Sequence, residues 1–465
     1  MTATALRNST ADWQAYDAAH HLHPFTDHAE LAKIGTRIIT RAEGSHLIDS
    51  EGNRLLDAFA GLWCVNVGYG RKELAKAAYD QMLQLPYYNT FFKTATPPAV
   101  ELGSVLAGLT SSTLAPTELK HVFYGLSGSD ANDTIARMVR QYWNLVGKTA
   151  KKTIISRVNG YHGSTMVAAS LGGMSYMHQH ADLPLPGFVH IPQPYWYGEG
   201  GDLSPEAFGL KAAGELEKKI LELGPERCAA FIGEPIQGAG GVIMPPATYW
   251  PEIQRICRQY DLLLVADEVI CGFGRTGHWF ASELYDIKAD FMTLAKGLTS
   301  GYVPLSAAMI GGRVADVLIA SGEFDHGFTY SGHPVSCAVA LENIRILKEE
   351  KLVERVNGET GPNLEKCLEE LLDHPLVGEV RLKGFIGAIE LVKDKKTRAS
   401  YQPPGEVGTI CRDHCFAIGL VMRATRDTML ISPPLSWTKT EIDEFLTLTR
   451  KALDLTLADV RRKFS

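Results

Sequence analysis

Residues 262–277, "LLLVADEVICGFGRTG", are the stretch from which the fold can be predicted. The opening five residues are aliphatic, and a run this apolar is typical of a strand that is covered on both faces. Asp267 and Glu268 follow directly, and open α/β sheets bind ligands at the carboxyl ends of their strands. The last six residues match G-x-G-x-x-G, the spacing of a dinucleotide-binding turn. The stretch predicts a buried strand beside a ligand, with either the acids or the glycines as the functional part.

Similar apolar runs alternate with helical patterns through the middle of the chain. Five more runs predict strands: HVFYG (121–125), TIIS (153–156), AAFIG (229–233), FMTLA (291–295) and LSAAMIG (305–311). Apolar residues recur at helical spacing at 71–85, 97–109, 130–146, 205–223, 248–260 and 441–455. This alternation predicts an α/β protein in which helices cover a mostly parallel sheet.

The two ends of the chain differ from this central pattern. The segment "IITRAEGSHLIDSEGNRLLDAFAG" predicts a small antiparallel meander with a turn at 50–53, and the last 130 residues return to helices plus short strands. We predict a large domain at 65–335 and a smaller α+β domain built from residues 1–64 and 336–465.

Composition narrows the classes of function. A formal net charge of −7 over 465 residues disfavours nucleic acid or an anionic membrane as a partner. No apolar stretch is long enough to cross a bilayer, and the first residues lack the apolar core of a signal peptide. The eight cysteines are scattered, which predicts the reducing cytoplasm rather than a disulfide framework.

Two groups of residues have the chemistry of metal ligands but not the required number or setting. Cys411, His414 and Cys415 lack two further ligands for zinc at suitable spacing. A second group, His20, His21 and His23, lies in the terminal segment of a large protein, where surface or packing histidines are more common. We expect no metal site.

Lys296 ends an apolar run, in "FMTLAKG", whereas most lysines lie on exposed helix faces. Taken alone, a lysine in this position is more often structural. A lysine that is removed from water has a lowered pKa and becomes nucleophilic, as Schiff-base chemistry requires.

Two loops that follow predicted strands offer further binding groups. In "YGLSGSDAND" (124–133), Gly128 permits close approach of the backbone to a ligand, and the amides and hydroxyls at the start of the next helix suit a phosphate. In "NGYHGST" (159–165), Tyr161 could cover one face of a flat ring. Each loop alone is weak evidence for a cofactor site. Together with Lys296 and Asp267 they are the parts of a pyridoxal phosphate site, in which the acid keeps the ring nitrogen protonated.

With these residues in place, the chain resembles the class III, ω-type aminotransferases of pyridoxal phosphate fold type I over essentially its whole length. The matching motifs include "YYNTFFKT" (87–94), "SGSDAND", "NGYHGST", "LLLVADEVICGFGRTG", "AKGLTSGY" (295–302) and "HGFTYSGHP" (326–334). "GLWCVNVGYG" (61–70) and "EPIQGAGG" (234–241) resemble the branch that uses amines, putrescine-type diamines or β-alanine with pyruvate. The resemblance implies a mostly parallel, seven-stranded sheet in the large domain and ping-pong transfer that yields alanine and an aldehyde or ketone.

By matched position, the resemblance implies a role for each site residue. Lys296 binds the cofactor covalently and acts as general base and acid, and Asp267 pairs with the ring nitrogen. The other cofactor-binding residues are Gly128 and Ser129 at the phosphate, Tyr161 and Val269 on the two ring faces, and His162 and Glu234 nearby. Thr329 reaches the phosphate of the neighbouring subunit's cofactor, which requires at least a homodimer and allows a tetramer.

The resemblance also implies the substrate pocket. Aromatic walls come from Phe25, Trp63 and Tyr161, with Phe91 or Phe92 from the partner subunit. Arg423 is similar to the family's mobile arginine, which binds the carboxylate of the keto acid. Relatives that use glutamate often place a glutamate against this arginine, and Ala239 stands at that position here.

Several residues depart from the family pattern. Leu126 replaces a polar residue and Asp130 replaces the commoner Glu, which predicts one donor fewer near the phosphate. Arg426 stands where close relatives often have Gly, and it either strengthens carboxylate binding at the entrance or lies on the surface. The segment 304–310, "PLSAAMI", also differs.

Three other functions compete with an amine:pyruvate aminotransferase. A nicotinamide-dependent dehydrogenase needs its glycines directly after a strand and at the start of a helix, but residues 267–271 intervene here. Another pyridoxal phosphate reaction, decarboxylating or of the mutase type, uses the same fold. A non-catalytic relative would not need Lys296 and Asp267, which are both present.

Overall fold

The computed structural model describes residues 8–114 and 118–463. Over these residues the strands are β1 Ile39–Glu43, β2 His46–Asp49, β3 Arg54–Asp57, β4 Leu119–Gly125, β5 Thr153–Arg157, β6 Phe188–Ile191, β7 Cys228–Gly233, β8 Leu263–Asp267, β9 Phe291–Leu294, β10 Ser306–Gly311, β11 Val377–Lys383, β12 Ile386–Leu391, β13 Leu420–Val421, β14 Arg423–Thr425 and β15 Thr428–Ile431. The helices are α1 Thr10–His20, α2 His28–Ile34, α3 Ala60–Trp63, α4 Lys72–Gln84, α5 Pro97–Thr113, α6 Gly128–Leu145, α7 Met166–Leu171, α8 Ser175–Gln179, α9 Trp196–Glu199, α10 Pro205–Leu223, α11 Tyr249–Gln259, α12 Gly312–Ser321, α13 Pro334–Glu349, α14 Leu352–Arg355, α15 Gly361–Glu369, α16 Glu406–Ala417 and α17 Lys439–Lys463.

The large sheet has seven strands in the order β4-β10-β9-β8-β7-β5-β6. The pairs from β9 to β6 are parallel, and β10 runs antiparallel to both of its neighbours. Every residue of β7, β8, β9 and β10 is buried, as their apolar sequences predict for strands covered on both faces. The predicted mostly parallel, seven-stranded α/β sheet is confirmed.

The sequence patterns identified six of these seven strands but not β6. Its four residues, "FVHI", form the edge of the sheet and are only half-buried at the middle two positions. A short edge strand needs no long apolar run, because one of its sides has no partner strand. The six helical patterns correspond to α4, α5, α6, α10, α11 and α17.

The smaller part of the fold joins the two ends of the chain. The meander β1-β2-β3 is antiparallel, with a turn at residues 50–53, and β13 from the C-terminal region adds to it by parallel pairing with β3. A second sheet has the order β11-β12-β15-β14. We propose that these two sheets belong to a small domain built from both ends of the chain. We propose 1–64, 65–335 and 336–465 as the boundaries; residues 1–7, 115–117 and 464–465 lie outside the described part.

The helices and the cysteines bear on membrane insertion and on disulfide bonding. No helix in the described ranges has the length and apolarity needed to span a bilayer. All eight cysteines are free thiols, and most of them are buried.

Candidate active site

Asp267 is the last residue of β8 and is almost fully buried, with 2% of its surface exposed. Its Oδ2 atom accepts hydrogen bonds from Asn132 Nδ2 at 2.9 Å and pairs with His162 Nδ1 at 2.7 Å. Its Oδ1 atom accepts a bond from the Val269 amide at 3.1 Å. Because a buried carboxylate is costly without donors, these bonds hold it in place at the end of the strand.

Asn132 and Thr293 belong to this arrangement, although the sequence did not identify them as site residues. Asn132 lies in the second turn of α6 and also donates to the His162 carbonyl at 2.8 Å. Thr293, in β9, donates to Asn132 Oδ1 at 2.6 Å. The available signal was a polar residue on the buried face of an amphipathic helix, in the motif "SGSDAND". That signal does not show which strand end the residue will face.

Glu268 points away from Asp267 and serves a structural purpose. Its carboxylate accepts bonds from the amides of Ala281 and Ser282, at 3.0 and 2.6 Å, and from the Ser282 hydroxyl at 2.6 Å. Complete burial raises the pKa of Glu268 to about 7 despite these donors. The two neighbouring acids at the end of β8 therefore have different surroundings, because consecutive side chains of an extended chain point to opposite sides.

Lys296 follows β9 and begins a short 3₁₀ turn, Lys296–Leu298. Its backbone has a φ of 47°, in the left-handed region that residues other than glycine rarely adopt. Asn343 Nδ2 donates to the carbonyls of Gly297 and Leu298, at 2.8 and 3.0 Å, and holds this turn. Removal of the ammonium from water lowers the pKa of Lys296. Strain of this kind persists where the surroundings hold it, often at functional sites.

The N-terminus of α6 forms another side of the site. Ser127 is the N-cap, and its hydroxyl accepts a bond from the Asp130 amide. Asp130 in turn accepts from the amides of Leu126 and Ser127, at 2.8 and 2.9 Å. Asp130 therefore acts as a structural acceptor that orders the loop. The amides of the first helical residues, Gly128 and Ser129, have no helical partners and can bind an anion.

Tyr161 lies on the loop after β5, and Glu234 connects this loop to its neighbour. Glu234 accepts from the Tyr161 amide at 3.1 Å and from the Gly238 amide at 2.8 Å. Burial raises the pKa of Glu234. The Tyr161 hydroxyl is 3.0 Å from Ser164 Oγ, and the Ser164 amide donates to Ser129 Oγ at 3.0 Å. The loop and the helix start are thereby held together.

These groups surround one cavity of about 450 Å³. Its lining includes eight of the residues singled out in the sequence: Gly128, Ser129, Tyr161, His162, Glu234, Asp267, Val269 and Lys296. A Cβ atom on Gly128 would lie 3.0 Å from Val269 Cγ2, so a side chain there would occupy the space between the helix start and Val269. An amine, a carboxylate and a helix N-terminus around one cavity suit the aldehyde, ring nitrogen and phosphate of pyridoxal phosphate, and the residues fit this cofactor.

Four residues predicted for the substrate pocket, and one predicted for a neighbouring cofactor, do not line this cavity in the single chain. Trp63 is 2% exposed and packs edge-on against Phe59 in an apolar cluster that also includes Ile270. Phe25 is exposed and lies beside a different cavity, near α1 and α2. Phe91 is partly buried, whereas Phe92 and Thr329 are exposed.

Arg423 and Ala239 line a second cavity, of about 700 Å³, which we call the outer cavity. Its lining also includes Asn159, Tyr176, Gly240, Glu406, Thr409, Thr425 and Arg426. Ala239 is buried, and its carbonyl accepts a bond from Thr425 Oγ1 at 3.2 Å. Within the described ranges, Arg423 forms no ion pair with a carboxylate. Its guanidinium is therefore available to a ligand.

The segment "GFGRTG" is a loop that packs against the C-terminal part of the chain. No helix begins at these glycines, which form consecutive turns after β8. Arg275 is fully buried, and it donates to Asn66 Oδ1 at 2.5 Å and to the Pro433 carbonyl. A dinucleotide-binding turn would need a helix at this point, so the glycines have a structural role instead.

The two groups with metal-ligand chemistry have protein partners. Asp17 is 3.0 Å from His21 Nδ1 and 2.8 Å from His23 Nε2, and the Thr36 hydroxyl also donates to it. Cys411 and Cys415 are buried in α16, while His414 Nε2 lies 2.7 Å from Asp459. One ligand atom from each of Asp17, His21 and His23 lies within 4.8 Å of the others, so this group also has metal-ligand geometry, and the absence of a metal site stays a prediction.

Comparisons with known proteins agree on one family. The family model for aminotransferase class III matches residues 29–453. The chain is 58% identical over 460 residues to the putrescine–pyruvate aminotransferase of Pseudomonas aeruginosa, covering 99% of this chain and 100% of that protein. It is 41% identical to the mitochondrial gamma aminobutyrate transaminase 1 of Solanum lycopersicum, covering 97% and 88%. The omega transaminase from Pseudomonas jessenii in complex with PMP matches with a TM-score of 0.93 at 44% identity, covering 97% of this chain and 99% of that one.

Proposed function

The chain belongs to the class III aminotransferases, which use pyridoxal phosphate, and we propose that it transfers the amino group of a primary amine or diamine to pyruvate. The products are alanine and an aldehyde or ketone. One observation carries the proposal: Lys296, Asp267 and the N-terminus of α6 line a single cavity that suits the cofactor. The 58% identity to a putrescine–pyruvate aminotransferase supports the substrate pair.

The proposed cofactor contacts follow from the lining of the cavity. Lys296 would hold the aldehyde carbon covalently, Asp267 the ring nitrogen, and Gly128 and Ser129 the phosphate. Tyr161 and Val269 would lie on the ring faces, and His162 would orient Asp267 through their 2.7 Å contact. When bound, pyridoxal phosphate supplies a ring that accepts electrons from the substrate and stores the amino group between the half-reactions.

Lys296 is proposed to move the proton. Because burial lowers the pKa of its ammonium, more of the neutral amine is present near neutral pH than for a lysine in water. Its Nζ atom would take a proton from the substrate carbon that bears the nitrogen and pass it to the carbon that carries the aldehyde in the bound cofactor. In the reverse half-reaction, Nζ would move a proton from that carbon to the former carbonyl carbon of pyruvate. The left-handed backbone at Lys296 and the two bonds from Asn343 hold the side chain at the cavity.

Arg423 is proposed to bind the carboxylate of pyruvate. Ala239 lines the same outer cavity, and its methyl group cannot compete for the guanidinium as an acid would. A planar guanidinium can donate two parallel hydrogen bonds to a carboxylate. When the amine substrate carries no carboxylate, the long arginine side chain can turn toward solvent.

We propose that the protein is a homodimer, or a tetramer built from such dimers, in the cytoplasm. The exposed side chains of Phe92 and Thr329 are then supplied to the neighbouring subunit's site, together with Phe91. The free cysteines support a reducing compartment. Subunit mixing tests the shared site: dimers formed from Lys296→Ala and Thr329→Ala chains should regain part of the activity that each variant lacks, and no recovery contradicts sharing.

A panel of amine donors with pyruvate tests the proposed reaction. We expect alanine to form with putrescine-type diamines and smaller amounts with β-alanine or aryl-alkyl amines. The enzyme without pyruvate should convert one equivalent of amine and stop in the amino form of the cofactor. Release of carbon dioxide, or no alanine with any donor, would overturn the proposal. Strong use of β-alanine with no use of diamines would change the preferred donor.

A further inference from the structure

Arg426 has a backbone conformation that favours glycine. It is the first of two residues in the tight turn between β14 and β15, and its φ is 53°. Hairpin turns of this length favour glycine where φ is positive, because a Cβ atom crowds the backbone there. The chain thus carries a long cationic side chain at a strained position that glycine would occupy more easily. Retained strain of this kind is a reason to look for a function.

The Arg426 side chain faces the outer cavity. Its Nη2 atom donates to the carbonyl of Gly240 at 3.0 Å, which directs the guanidinium toward the loop that also carries Ala239. Arg423 is three residues earlier and lines the same cavity. One hydrogen bond to a carbonyl leaves most of the donors of an arginine free for a ligand.

The charges around the outer cavity are mainly positive. Glu406 is the only acid in its lining over the described ranges, and Lys463 forms an ion pair with it. Nearby Arg381 is already neutralised by Glu379 and Glu390, at 2.5 and 2.9 Å. Among the residues that the structure describes, no carboxylate forms an ion pair with Arg423 or Arg426, so the cavity presents two cations. A small anion can lower the free energy of such a pair of charges.

We propose that the outer cavity is a carboxylate-binding entrance in which Arg426 captures the keto acid before Arg423 holds it at the site. This inference rests on the proposed function, because it concerns how pyruvate is selected. Arg426 acts on carboxylates and leaves neutral acceptors unaffected, so it sets specificity for keto acids over aldehydes. The ligand class is a small monocarboxylate.

The test compares a charged with a neutral acceptor in Arg426 variants. Arg426→Gln removes the charge and keeps a side chain at the strained position, whereas Arg426→Lys keeps the charge. We expect KM for pyruvate to rise about five-fold in Arg426→Gln, a typical effect for an exposed charge pair, and to change less in Arg426→Lys. KM for propanal, which has three carbons but no carboxylate, should stay the same. Arg426→Gly provides a second uncharged variant with a relaxed backbone.

Arg412→Gln is the matched control, because it removes one positive charge from a surface arginine that pairs with Asp413 outside this cavity. It should leave KM for pyruvate unchanged. If KM for pyruvate is the same in Arg426→Gln and Arg412→Gln, the inference is wrong. It is also wrong if KM for pyruvate and KM for propanal rise together in Arg426→Gln.

Calorimetric titration of the holoenzyme with unreactive propanoate separates this inference from the proposed reaction. Propanoate should bind about five-fold more weakly to Arg426→Gln than to the wild type. That result without alanine formation would refute the proposed function and support the anion site. Alanine formation with equal propanoate affinity in both proteins would refute the anion site alone.

Discussion

Asn132→Ala tests whether the network around Asp267 controls cofactor binding. Asn132 is fully buried and makes three hydrogen bonds, to Asp267 at 2.9 Å, to the His162 carbonyl at 2.8 Å and from Thr293 at 2.6 Å. Loss of the bond to the charged Asp267 should cost about 1.5 kcal/mol in cofactor affinity, which corresponds to about ten-fold weaker binding. The two bonds with neutral groups should each cost about 1 kcal/mol in the free energy of unfolding.

The assay is titration of the cofactor-free enzyme with pyridoxal phosphate, followed by absorbance. Asn144→Ala is the control, because Asn144 is exposed near the end of the same helix, and its side chain accepts a hydrogen bond from Lys152, away from Asp267. We expect wild-type affinity for Asn144→Ala and about ten-fold weaker binding for Asn132→Ala. Equal affinity of the two variants would refute the reasoning, because the Asp267 position would then not depend on Asn132.

Four further predictions address other residues of the protein. Lys296→Met should abolish the absorption of the covalently bound cofactor and all turnover; any turnover that remains contradicts the role of this lysine. Burial lowers the pKa of Lys296 below 10.5, so the unfolded chain binds more protons than the folded one between the lowered pKa and 10.5. The free energy of unfolding of the cofactor-free enzyme should therefore rise with pH up to about 10.5. Lys296→Met should lose this rise in unfolding measurements. Arg423→Leu should raise KM for pyruvate about ten-fold or more at a fixed amine concentration, through loss of a charge-assisted bond, and an unchanged KM is evidence against carboxylate binding there. Trp63→Ala should lower the free energy of unfolding by about 3 to 5 kcal/mol because Trp63 is buried, whereas the exposed Phe25→Ala should cost little; an altered amine preference with unchanged stability in Trp63→Ala would place Trp63 in the pocket instead.

The central fold could be predicted because its signal is local. Strands buried on both faces need apolar runs, and six such runs correspond to six of the seven strands of the large sheet. The edge strand β6 has no such requirement, and half-buried "FVHI" does not differ enough from a loop. The short helices and the small sheets of the C-terminal region also lack a long periodic pattern, and tertiary packing sets their limits.

The candidate site shows a similar division. Lys296 and Asp267 could be singled out because a charged residue directly after an apolar strand is conspicuous in the sequence itself. The polar partners of Asp267 could not, because Asn132 and Thr293 each look ordinary in their own segments. The aromatic residues named for the pocket also depended on context, since Trp63 is enclosed by an apolar cluster and Phe25 lies near another cavity.

The sequence by itself determined the α/β class, the strand ends that carry Lys296 and Asp267, and the turn that begins α6. Each of these follows from the chemistry of consecutive residues, such as an aliphatic run that must be buried and an acid that directly follows it. Only the tertiary structure decided that Asn132 donates to Asp267, and that Arg423 and Arg426 share a cavity in which the one acid among the described lining residues, Glu406, is already paired. The physical reason is that hydrogen bonds and electrostatic interactions depend on distances of a few ångströms, and residues far apart in the chain reach those distances only after helices and strands have packed.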